Sequence, residues 1–153
     1  MMKLNNDMTV VSIPDMSGLT NVQKEWWNKW IEALEGGKYE QGRCQLSSEG
    51  KFCCLGVVQD LIKDEIGCKW IDGTPTYATF TDATRTYRSS SGLIRPAEQV
   101  LGVNRGYCIS VATIDSSASG IKDYGLDQLN DNGVTFLEIA AILRKALEGG
   151  LKS

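Results

Sequence analysis

Apolar residues recur at helical spacing in three places along the chain. Near the C-terminal end, Phe136, Ile139, Ala140, Leu143, Ala146 and Leu147 fall three or four residues apart, behind a Thr135–Glu138 pair of capping-box form, and Gly149-Gly150 supplies a stop. Near the start, Thr20 and Gln23 form a second capping box. It opens a predicted helix from about Asn21 to Glu35, with Trp26, Trp27, Trp30, Ile31 and Leu34 as a broad apolar face before Gly36-Gly37. Between them, Leu55, Val58, Ile62 and Ile66, widened by Val57 and Leu61, predict a buried helix from Cys54 to a left-handed cap at Gly67.

The period changes to two elsewhere. Arg43-Cys44-Gln45-Leu46 alternates polar and apolar, Ser47 to Gly50 is turn chemistry, and Lys51 to Cys53 returns as a partner strand, so a short hairpin is expected. Tyr107 to Ile114 is the strongest strand pattern, and Thr76 to Thr81 is a further strand on propensity. Arg95-Pro96 opens a short helix that ends near Gly102, and Gly125 to Leu129 reads as a short helix or turn. The rest of residues 72–92, rich in Ser and Thr, is expected as a long surface loop. Residues 1–18 are expected as a mobile extension in which Val10, Val11 and Ile13 add at most an edge strand. The fold class predicted is α+β: one domain over 19–150, with helices near both termini and a central helix packed on a small antiparallel sheet with a short hairpin.

Composition narrows the function. A chain of 153 residues can bury a real core, and 42% hydrophobic with 23% charged residues is ordinary for a globular protein. Net charge of −3 argues against general nucleic-acid binding, which needs a basic face. There is no apolar run of the roughly 20 residues that span a bilayer and no apolar leader, so a cytoplasmic, membrane-free protein with its five cysteines reduced is expected. Histidine is absent, which removes Ser-His and Cys-His nucleophile pairs, histidine bases and histidine metal ligands.

Candidate chemistry is sparse. Trp26 and Trp27 point about 100° apart on a helix, so one of them can reach a surface or a pocket while the others serve the core or stack a base. Gly56 in a first helical turn costs about 1 kcal/mol relative to Ala, which a close approach by another backbone or by a ligand would justify. Cys53-Cys54 lacks zinc-ligand spacing and is expected as buried thiols. The stretch from Leu129 to Gly133 resembles a calcium loop but has Gln128 and Ile139 where carboxylates belong. Tyr39, Gln41 and Arg43 lie on the loop between helix and hairpin, where binding groups are commonly held, and Arg85, Tyr87 and Arg88 could grip a phosphate and stack a base. Asn130 and Asp131 complete the candidate ligand-binding set. No metal and no cofactor are expected.

The segments GKYEQGRCQL, KFCCLGVVQDL and LNDNGVTFLEIAAIL together resemble a family of small proteins common in phage and prophage genomes. The family's pattern, Trp-x3-Leu, Gly-x-Tyr-x-Gln-Gly, Cys-Cys-Leu-Gly-Val and Leu-Asn-Asp-x-Gly-x-x-Phe-x-x-Ile-Ala, is met at Trp30–Leu34, Gly37–Gly42, Cys53–Val57 and Leu129–Ala140, while residues 69–124 depart from it. The resemblance implies an accessory protein of host takeover or counter-defence, acting in the host cytoplasm. With histidine absent, the expected function is to bind and sequester a small phosphate-bearing ligand, a nucleotide-derived immune signal among them, without catalysis. A homodimer interface would bury such a ligand well. The alternatives are inhibition of a host defence protein by direct contact, a metal-dependent nucleotide hydrolase using Asp60 and Asp131, and a structural role in the virion.

Overall fold

A computed structural model of the protein describes residues 1–71, 74–78, 86–88, 92–115 and 120–152. It is an α+β fold in which, among the described residues, five helices, α1 (Asn21–Glu35), α2 (Cys54–Ile62), α3 (Arg95–Leu101), α4 (Leu126–Asp131) and α5 (Phe136–Leu147), accompany three small sheets. β1 (Met2–Lys3), β2 (Met8–Ser12), β9 (Ser110–Asp115) and β10 (Ile121–Gly125) form an antiparallel sheet in that order. β3 (Glu40–Gln41), β5 (Lys51–Phe52) and β4 (Ser47–Ser48) form a second, in which β3 runs parallel to β5. β6 (Lys69–Ile71), β7 (Thr74–Ala78) and β8 (Thr86–Arg88) form an antiparallel third.

The long helices form for the reasons their sequences give. Thr20 accepts the Gln23 N–H at the start of α1 and Thr135 accepts the Glu138 N–H at the start of α5, and both capping boxes close reciprocally. The spare oxygen of Glu138 accepts the N–H of Asn5 at 2.7 Å, tying the N-terminal strands to α5. Trp27, Trp30, Ile31 and Leu34 of α1 and Ile139, Ala140, Leu143 and Ala146 of α5 enter one core with Leu55, Val58 and Ile62 of α2. Trp27 and Trp30 meet edge to face at 5.9 Å, and each indole N–H finds a carbonyl, that of Leu101 and of Cys54 respectively. At Gly56 a Cβ would overlap the carbonyl of Leu46, so the glycine permits a backbone-to-backbone approach.

Several elements differ from expectation. Residues 1–18 carry an interior strand: β2 lies between β1 and β9, and Leu4, Met8, Val10, Val11 and Ile13 are buried. A register shift between Val10 and Ser12 lets consecutive valines both be buried, which a strict alternation forbids. Arg43 to Leu46 is not a strand. Cys44 turns left-handed at φ 68°, and the hairpin begins at Ser47, with Glu49 (φ 52°) and Gly50 (φ 79°) giving the two positive φ values that a two-residue turn favours. α2 ends at Ile62, and turns carry the chain to Gly67 at φ 67°. The strand expected from Tyr107 starts at Ser110, because Cys108 is left-handed at φ 70°. Of the strand expected over Thr76 to Thr81, the backbone is described to Ala78; residues 72–73, 79–85 and 89–91 lie outside the described residues.

Candidate functional site

The loop after α1 and the end of α4 carry five of the expected ligand residues, Tyr39, Gln41, Arg43, Asn130 and Asp131, and the fold brings Gln41, Asn130 and Asp131 together. Helices α2 and α5 both begin inside this cluster, and each presents N–H groups that need acceptors. Cys53, at the cap of α2, makes no strong side-chain capping bond, its sulfur meeting only the Leu55 and Gly56 backbone weakly. Asn130, fully buried, supplies one from another element: its Oδ1 accepts the first α2 N–H, that of Cys54, at 3.1 Å. Its Nδ2 donates to the Gly42 carbonyl at 2.7 Å, and its Oδ1 also accepts from Gln41 Nε2 at 2.9 Å. Gln41 in turn donates to the Val134 carbonyl at 2.8 Å and accepts the first α5 N–H, that of Phe136, at 3.1 Å. Gln41 and Asn130 therefore cap two helices from outside and lock the loop onto α4.

The neighbouring residues are committed in similar ways. Asp131 Oδ1 accepts the Cys44 N–H at 2.7 Å, holding Cys44 in its left-handed conformation. Tyr39 donates to Asp60 Oδ2 at 2.7 Å, while Asp60 Oδ1 accepts from Trp70 Nε1 at 2.9 Å and from Lys63 at 3.0 Å. Burial works against ionisation of Asp60, but the hydrogen bonds from Tyr39, Lys63 and Trp70 outweigh it and hold the carboxyl below its ordinary value. Burial, and then the bond to Asp60, pushes the Tyr39 phenol upward. Tyr39, Phe52 and Trp70 stack edge to face at 5.1 and 5.8 Å, fixing β6 to the β5 hairpin. Arg43 is exposed, its guanidinium near Gly133. Tyr87 and Arg88 lie on β8, opposite Tyr77 and Thr76, and Arg85 lies outside the described residues.

Four cysteines, Cys53, Cys54, Cys68 and Cys108, are buried and Cys44 is exposed. Burial pushes Cys53 up to about 11 and drives Cys54 and Cys108 upward as well, so these three are thiols at neutral pH.

Among the described residues, two grooves open to the surface with a cation on their walls. The first has a volume of about 480 Å³ and lies between Met16, the turn that follows α3, and the entry to β9. Its polar groups are Asn104, Arg105 and Ser110; its apolar wall includes Met16, Val103 and Ile109. The α3 terminus that borders it is closed off: Gly102 and Val103 N–H groups bond the carbonyls of Gln99 and Glu98, and Trp27 takes that of Leu101. Arg105 stands 5.8 Å from the Tyr107 ring centroid and, among the described residues, pairs with no carboxylate. No periodicity marks Arg105, which sits in a turn, so only the folded chain reveals it. The second groove, about 500 Å³, lies along α1 at Trp26, Ala33 and Leu61, with Lys29 and Lys38 on its walls. The splay of Trp26 from Trp27 was its signal in the sequence.

The fold and site define a small α+β domain whose motif residues brace its own helices and whose open cations border grooves. The chain belongs to the family described as a domain of unknown function (DUF8296), whose model matches residues 22–147. That stretch runs from the first turn of α1 to the last residue of α5, leaving β1 and the interior strand β2 outside it. No curated protein and no solved structure matches the chain. No helix among the described residues is long and apolar enough to cross a membrane.

Proposed function

We propose that this is a phage-type accessory protein that binds a small phosphate-bearing molecule in the host cytoplasm, a nucleotide-derived immune signal being the class intended, and sequesters it unchanged. One observation carries the reading: Arg105, without a carboxylate partner among the described residues, borders a groove of about 480 Å³ that also offers Asn104 and Ser110. A guanidinium beside amide and hydroxyl donors matches phosphate oxygens, and the apolar wall of Met16, Val103 and Ile109 suits a nucleoside. The net charge of −3 does not oppose this, because the nearest charge dominates at short range. Sequestration rather than turnover is supported by the state of the reactive groups. The groove's own cysteine, Cys108, is held as a thiol, and both oxygens of Asp60, a carboxylate the hydrolase alternative needs, are hydrogen-bonded.

Calorimetry against a panel of cyclic and linear nucleotides tests this. At least one should bind with Kd below about 10 μM, Arg105→Ala should weaken it at least about tenfold, and mass spectrometry should recover the nucleotide unchanged. Absence of any binder, equal affinity in the variant, or conversion of the nucleotide would each overturn the proposal.

A further inference from the structure

We infer that the groove along Trp26 is a docking surface for an acidic, apolar-anchored segment of a partner protein. The inference is independent of the nucleotide reading, since it rests on other residues. Trp26 sits next to the fully buried Trp27 yet remains partly exposed, and with Ala33 and Leu61 it floors a groove of about 500 Å³. Two ammonium groups border that floor. Lys29 Nζ rests 4.4 Å from the centroid of the Trp26 ring and Lys38 Nζ rests 5.9 Å from that of Tyr39. Neither pairs with a carboxylate among the described residues, although the chain is acidic overall. Glu32 shares the groove, but its field is also felt by the Arg144 guanidinium of α5.

The occupant follows from this charge pattern. A purely apolar segment would leave two lysines without carboxylates, and a purely acidic one would leave the indole without an anchor. A segment with one apolar side chain between carboxylates answers both, and it displaces the lysines from the aromatic rings onto anions. Tryptophan is enriched among the residues that dominate interface energies, and flanking charges set encounter rate and partner choice. Lysine stems also lay apolar methylenes along the wall, so the polar rim costs little buried area.

The test uses short synthetic amphipathic peptides observed through the indole N–H resonances of 15N-labelled protein, with Trp26 assigned by Trp26→Phe. An acidic peptide carrying Leu or Phe anchors should shift the Trp26 resonance, bind more weakly at about 0.3 M salt, and lose about tenfold or more in affinity to the exposed double change Lys29→Glu/Lys38→Glu. Circular dichroism checks that this variant is folded. The inference is overturned if the acidic peptide leaves Trp26 unmoved, or if lysine-for-glutamate or serine-for-leucine analogues bind equally well. Concentration-dependent dimerisation that shifts Trp26 without peptide and disappears in the double variant would also overturn it, assigning the surface to a second copy.

Discussion

Replacing Asn130 by Ala removes one side chain and strands groups on two other elements. The Cys54 N–H at the start of α2 loses its acceptor, and the Gly42 carbonyl loses its donor. Gln41 keeps its bond to Val134, so its amide is only half orphaned. The Cys54 bond is buried and the Gly42 bond partly so, and a buried group left unpaired costs about 1–3 kcal/mol. Partial relaxation toward water lowers the sum, so about 2–4 kcal/mol is expected, or a melting-temperature fall of roughly 4–16 °C. Asn130→Asp keeps the oxygen that serves Cys54 and Gln41 but turns a carboxylate oxygen toward the Gly42 carbonyl. Its burial raises the folded pKa of the introduced acid above the unfolded value, so this variant should lose further stability as pH rises through that range and recover some in acid. Urea unfolding of Asn130→Ala, Gln41→Ala and the double variant completes the cycle, with a coupling of about 0.5–3 kcal/mol expected for residues in one network. A cost below about 0.5 kcal/mol for Asn130→Ala, or strictly additive single changes, would refute the capping account.

Gly56→Ala should destabilise by about 1–3 kcal/mol despite the higher helix propensity of Ala, because the added Cβ overlaps the Leu46 carbonyl; an unchanged or raised urea midpoint would exclude that packing. In the native protein a thiol reagent near pH 8 should label Cys44 quickly and Cys53, Cys54, Cys68 and Cys108 slowly, with all five reacting once unfolded; two or more fast thiols would contradict the burial. The folded pKa of Asp60 lies below its ordinary 3.8, so its contribution is present above about pH 4 and lost as pH falls through the folded value. Asp60→Asn should therefore flatten the acid limb of a stability–pH profile, and an unaltered limb would show that the Tyr39–Trp70–Lys63 bonds contribute no pH dependence.

Repeating patterns with local causes were legible. The capping boxes at Thr20 and Thr135 and the apolar stripes behind them gave α1 and α5 to within a residue or two, because cap and stripe are written in adjacent positions. What failed depended on distant partners. Cys44 is left-handed because Asp131 holds its N–H, and no property of Arg43 to Leu46 announces that. β2 is interior because β9 lies beside it, and its bulge hides the alternation by burying Val10 and Val11 together. β10 was missed since Ile121, Lys122 and Asp123 are all exposed on an edge strand. The candidate site shows the same division. Polar residues in a Gly-rich loop look alike whether they await a ligand or a helix terminus. Gln41 and Asn130 serve helix termini that lie 95 and 76 residues away in sequence.

The two proposed surfaces share no lining residue, and their independence is itself testable. Trp26 faces one groove, while Trp27 holds the wall of the other through its bond to the Leu101 carbonyl, just before Gly102. Between them the helix is anchored by Trp30 on the Cys54 carbonyl and by the edge-to-face contact of Trp27 with Trp30. Held this way, α1 is expected to behave as a rigid element through which neither groove biases the other. Arg105→Ala should therefore leave peptide affinity unchanged, and Lys29→Glu/Lys38→Glu should leave nucleotide affinity unchanged, each within about 0.5 kcal/mol. A larger cross-effect with melting temperatures preserved would mean that α1 shifts on binding. By reciprocity the nucleotide would then alter partner affinity by the same factor that the partner alters nucleotide affinity, and the proposed trap would instead be a ligand-controlled adaptor.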